Sequence, residues 1–108
     1  MMNNLGGMMK KVQQMQQKLT ELGEEMEARQ FSASVGGGSV TAEVNGKGAV
    51  LSVSIAAEMM VQDEREMLEE LIVLAVNSAK SEAEAAQQQA IKEITGGLPL
   101  PPGLSLPF

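Results

Sequence analysis

The chain has 108 residues, eight basic against fourteen acidic for a net charge of −6, with no cysteine, no histidine and only two aromatics, Phe31 and Phe108. Those absences exclude disulfides, thiol nucleophiles, the usual zinc sites and the commonest general base, and no cofactor is expected. One small domain whose core must come from alanine, valine, leucine and flexible methionine buries little area alone, so oligomerisation is expected to add burial.

Leu5, Met8, Val12, Met15, Leu19, Leu22 and Met26 recur at alternating intervals of three and four. That heptad predicts a helical arm over 5–30 with a narrow apolar stripe suited to one partner helix. So short a coiled-coil pattern is marginal in isolation, so the arm is expected to pack on another part of the same fold. Residues 1–20 contain Lys10, Lys11 and Lys18 and no acid.

The period then changes to two. Phe31, Ala33 and Val35 alternate with serines; Val40, Ala42 and Val44 alternate with Thr41, Glu43 and Asn45. After Asn45-Gly46-Lys47-Gly48, a third run places Ala49, Leu51, Val53, Ile55 and Ala57 in strict alternation. Three antiparallel strands within 31–57 follow, joined by the triple glycine at 36–38 and the Asn-Gly turn, with one apolar face and one small and polar. A three-stranded meander has an edge to protect, and a dimer joining two sheets across subunits would protect it.

Helical period returns over 62–95. Met67, Leu68, Leu71, Ile72, Ala75, Val76 and Ala79 make a broad face for a sheet. Beyond Asn77 the pattern thins to Ala83, Ala86, Ala90, Ile91 and Ile94. A kink is expected near Asn77-Ser78, with the second half leaving the sheet, and Gly96-Gly97 should end the helix. Residues 96–108 form a tail containing all four prolines and no charged side chain, whose composition favours an extended, polyproline-like conformation with leucine and phenylalanine anchors. The predicted class is α+β in a single domain, 1–108: N-terminal helix, three-stranded antiparallel meander, long C-terminal helix, extended proline-rich tail.

The longest aliphatic run, Leu71 to Val76, is too short to span a bilayer, and the first residues lack a signal-peptide core, so a cytoplasmic protein without membrane contact is expected. Neither Gly36–Gly38 nor Gly46–Gly48 opens a helix, as a phosphate loop would; both read as hairpins. Residues 58–72 hold six acids against Arg65, without the spacing that wraps calcium, and read as a solvated face at a helix start. No nucleophile–base pair can be named, so the protein is not expected to be an enzyme.

The basic residues carry more. Lys11 and Lys18 are seven apart on one flank of the first helix, with Lys10 beside them and Gln13, Gln14, Gln16 and Gln17 able to hydrogen-bond phosphate. Lys80 and Lys92 add two cations on the last helix. About four to six phosphate contacts, each adding about −0.9 to the slope of log K against log salt, would give weak, steeply salt-dependent binding.

Four segments in order resemble the YbaB/EbfC family of nucleoid-associated proteins: MMKKVQQMQQKL at Met8–Leu19, GSVTAEVNGKGAVLSVSI at Gly38–Ile55, EMLEELIVLAVNSA at Glu66–Ala79, and the closing LPPG…PF within Leu100–Phe108. The resemblance implies a homodimer with sheets joined across subunits and projecting helical arms. It implies binding of double-stranded DNA with little sequence preference, in the nucleoid, with roles in chromosome organisation or gene regulation and with recombination or repair proteins as partners. By position it makes Lys10, Lys11, Lys18, Lys80 and Lys92 the DNA-contact candidates. The alternative reading, from another class, is a dimeric protein-interaction scaffold with little DNA affinity.

Overall fold

The computed structural model of the chain describes residues 3–108. Helix α1 spans Asn3–Ala28, then come strands β1 (Gln30–Val35), β2 (Val40–Asn45) and β3 (Val50–Ile55). Two short 3-10 turns, Ala57–Met59 and Gln62–Glu64, lead into helix α2, Arg65–Thr95. The architecture is the α+β order read from the sequence, with α1 starting and ending two residues earlier and α2 beginning only after the second 3-10 turn.

The sheet is antiparallel in the order β1-β2-β3. Phe31 pairs with Val44, Ala33 with Ala42 and Val35 with Val40, so one face of the pair is wholly apolar. On the other face the hydroxyls of Ser34 and Thr41 hydrogen-bond at 2.8 Å. β2, flanked on both sides, buries Val40, Ala42 and Val44 completely.

β3 departs from the strict alternation expected. Val44 pairs with Val50, while Glu43 pairs with Ser52, which leaves Leu51 as the extra residue of a bulge. The cause is the adjoining turn. Asn45 N–H donates to the Ala49 carbonyl at 2.9 Å, and the Asn45 side chain accepts from the Lys47 and Ala49 N–H groups. That closure fixes a register one residue out of step with the ladder beyond it. Val50, Val53 and Ile55, rather than Leu51, therefore stand opposite the buried residues of β2.

α2 lies across β1 and β2 and barely meets β3. Ala75, Ala79 and Ala83, each one helical turn apart, are completely buried against Val40, Ala42 and Val44. Alanine at those positions lets the helix backbone approach the sheet closely, and Leu68, Leu71, Ile72 and Val76 pack around the rim. The helix runs unbroken through Asn77 and Ser78, where the kink was expected. Past Ala83 it leaves the sheet: the Gln87 amide donates to the Gly46 carbonyl, and Ala90 and Ile94 line a groove with Leu22 of α1. Gly96, at φ 66°, ends it with its N–H on the Lys92 carbonyl.

The inner end of α1 is seated on the β2–β3 turn. Gly46 N–H donates to the carbonyls of Met26 at 2.7 Å and Arg29 at 3.0 Å. A Cβ at position 46 would run into the Met26 backbone, so glycine is required there by the approach itself. The result is a rod, 72 × 20 × 18 Å, with the sheet toward one end and the α1–α2 pair extending from it.

Candidate nucleic-acid interface

The five lysines singled out by the sequence do not converge on one patch within a protomer. Lys10 and Lys11 lie on the outer third of α1, exposed. About 10 Å further along the axis, Lys18 lines a groove with Glu21, Glu25 and Glu93. Three carboxylates around one ammonium leave that stretch negative on balance, so Lys18 is the weakest anion site of the α1 set.

Lys80 is exposed but engaged. Its ammonium donates to the Gly48 carbonyl at 2.7 Å, bracing the β2–β3 turn. Lys92 lies nine residues after the buried Ala83, about two and a half helical turns, which puts it on the face of α2 away from the sheet. Of the glutamines expected near phosphate, Gln13, Gln14 and Gln17 are exposed. Gln16 is engaged: its amide donates to the Ser105 carbonyl at 3.3 Å and accepts from the Ser105 N–H at 2.9 Å.

The fold also assembles a group that sequence reasoning missed. Three cationic residues gather about the β2–β3 turn: Lys47 within it, Lys80 through Gly48, and Arg29, whose carbonyl accepts from Gly46. The Arg29 guanidinium stacks over the Phe31 ring at 4.8 Å, and Lys47 faces Glu27 at 3.8 Å. Lys47 was visible only as part of a turn, and nothing in the spacing of 29, 47 and 80 foretells that Arg29 and Lys80 both contact that turn.

Charge is ordered along the rod. Glu58, Asp63, Glu66, Glu69 and Glu70 are exposed around the start of α2, with Arg65 paired to Glu69 at 3.0 Å. From there α2 carries the chain about 45 Å toward the arm. Beside the outer part of α1 lie Pro101 and Pro102 of the tail, which has no charged side chain. Lys10 and Lys11 are thus the pair set apart from the acids. Among the described residues no cluster of three metal-ligating side chains occurs, and no helix is long and apolar enough to cross a membrane.

Comparison with known proteins follows the same lines. The sequence profile of the YbaB/EbfC DNA-binding family matches residues 2–98. The chain is 42% identical over 107 residues to a nucleoid-associated protein of Brucella ovis, covering 99% of this chain and 100% of that protein. A nucleoid-associated protein of Rhizobium meliloti matches at the same identity and coverage. Among solved structures, an uncharacterized protein of Helicobacter pylori superposes with a TM-score of 0.73 at 21% identity, over 85% of this chain and 94% of that one, a likeness of fold.

Proposed function

The chain belongs to the YbaB/EbfC DNA-binding family, and from that premise we propose that it acts in the nucleoid as a homodimeric, non-enzymatic protein that grips duplex DNA through phosphates with little sequence preference, serving chromosome organisation or gene regulation. The observation that carries this reading is the segregation of charge: Lys10 and Lys11 stand exposed on a part of α1 without acids, although the chain as a whole is acidic. A local positive field at an arm end is what a phosphate backbone meets first, and the net charge matters less than that field. Lysines present point charges rather than a planar fork, which suits phosphate better than base edges. Lys18, Lys80 and Lys92 contribute less, the first because of its acidic neighbours, the second because the Gly48 carbonyl holds it.

The dimer is supported by what one protomer leaves open. The outer edge of β3 is unpaired, and its Val50, Leu51 and Val53 are 46%, 49% and 38% exposed because α2 barely meets this strand. Val73 and Leu74 of α2 are exposed as well. A second copy joined along this side would bury apolar surface that water otherwise keeps and would place two arms on one body.

The test is fluorescence anisotropy of a labelled random-sequence duplex titrated with the protein at low and at physiological salt. The expected result is binding at low salt that weakens steeply with added salt, at about 0.9 in log–log slope per neutralised phosphate, and that is lost in the Lys10→Glu/Lys11→Glu/Lys18→Glu variant. Absence of binding at low salt would overturn the reading and leave the protein scaffold.

A further inference from the structure

α1 carries a second built feature, on the flank away from Lys11 and Lys18. Gln16 holds one residue of the tail by both backbone groups, donating to the Ser105 carbonyl at 3.3 Å and accepting from its N–H at 2.9 Å. A side-chain amide used in this way grips a peptide whatever its side chains, as a neighbouring strand would. Seven residues on, and so on the same flank, Gly23 is buried although its neighbour Glu24 is exposed. Pro107 covers it, and a Cβ at position 23 would stand 2.7 Å from the Pro107 Cβ. Glycine in a helix interior costs stability relative to alanine, so the missing side chain is accounted for here by the proline it admits. Gln16, Thr20, Gly23 and Lys47 on one side and Ser105, Leu106 and Pro107 of the tail on the other line a cleft of about 290 Å³.

We propose that this flank of α1 is a binding seat for an extended proline-bearing peptide, that its resident ligand is the chain's own C-terminal segment, and that the segment works as a releasable strap on the arm. The hold is strong enough to select a register and weak enough to let go: both hydrogen bonds fall on one side chain, and no residue from Gly96 to Phe108 is fully buried. Docked, the strap runs beside α1 from Pro101 and Pro102, at Leu5 and Val12, to Pro107 at Gly23. It therefore backs the outer part of the helix and leaves the lysine flank open. Its effect on nucleic acid rests on the proposed DNA binding; the seat itself does not.

The chain has no tryptophan, so Phe108→Trp in the full-length protein gives a single reporter beside Pro107. Its quenching by acrylamide is compared with that of an isolated Leu98–Phe108 peptide carrying the same tryptophan. The expected result is severalfold weaker quenching in the protein, rising to the peptide's value when Gly23→Val fills the seat. Gln16→Ala, which leaves the helix intact, should raise it part of the way. Hydrogen exchange of the α1 amides around Val12 should lose about thirtyfold protection in Gly23→Val, the factor that forfeiting two ordinary hydrogen bonds carries, while β2 stays protected. Quenching in the parent equal to the peptide's, or unmoved by Gly23→Val, overturns the strap. The same proteins titrated with duplex keep the two claims apart: a docked tail without DNA binding removes only the proposed function, and DNA binding with a free tail removes only the strap.

Discussion

The two halves of α1 share one heptad stripe and meet opposite fates. In the inner half Leu19, Leu22 and Met26 are 0%, 6% and 1% exposed; in the outer half Leu5 and Met8, on the same stripe, are 67% and 62% exposed. The inner half lies against Ala90 and Ile94 of α2 and rests on the Gly46 turn. α2 ends at Thr95, just past those contacts, so among the described residues the outer half has the tail beside it and no further helix or strand. The charges divide at the same place, with Glu21, Glu24, Glu25 and Glu27 inward and Lys10 and Lys11 outward. A heptad specifies which face of a helix is apolar; what covers that face depends on where neighbouring elements stop. Here the stopping point separates a half that holds the fold from a half free to meet something else.

The largest test of that division is a pair of truncations. Leu19→Ala should lose about 3 kcal/mol of stability in urea unfolding, the usual cost of deleting a buried leucine side chain. Leu5→Ala should stay within about 0.5 kcal/mol, as exposed substitutions do. Equal losses would mean that the outer half is buried after all, by a partner subunit or by a more tightly held tail. Next in size is the function of the outer half. Lys10→Gln/Lys11→Gln should make the salt slope of DNA binding shallower by about 1.8 per arm, at about 0.9 for each contact, with unchanged unfolding. Lys18→Gln should shift the slope by clearly less than about 0.9, because its acidic groove already opposes a phosphate. A Lys18 effect equal to that of Lys10 would erase the distinction between the halves.

The periodicities were legible because each rests on local geometry: the three-four spacing of α1, the alternation of β2, the wide face of α2 and the helix-ending Gly96-Gly97 all appear where the residues put them. The bulge at Leu51 was not, because it arises from a mismatch between the turn's closure at Asn45–Ala49 and the ladder beyond. Strict alternation is the pattern of either register alone, and only their meeting exposes the extra residue. The lysines were legible as charges and illegible as sites. That Lys18 faces Glu93, or that Lys80 serves the Gly48 carbonyl, depends on contacts between residues 75 and 32 positions apart. Gly23 drew no reading from the sequence, since its purpose lies in Pro107, at the other end of the chain.

The smallest expected effect is the most discriminating, because it runs against ordinary intuition about helix acids. If Glu21 and Glu25 cancel Lys18, then Glu21→Gln/Glu25→Gln should tighten duplex binding a few-fold at low salt, with stability changed little because both side chains are exposed. The gain should shrink toward physiological ionic strength, where the screening length falls to about 8 Å and exposed charges see little beyond their neighbours. In that background Lys18→Gln should cost more than it does in the parent, since the lysine would then face phosphate without competition. That non-additivity is the signature of a shared local field. If the double glutamine variant binds no better and Lys18→Gln costs the same in both backgrounds, the inner half of α1 lies out of reach of the duplex, and contact belongs to Lys10 and Lys11 alone.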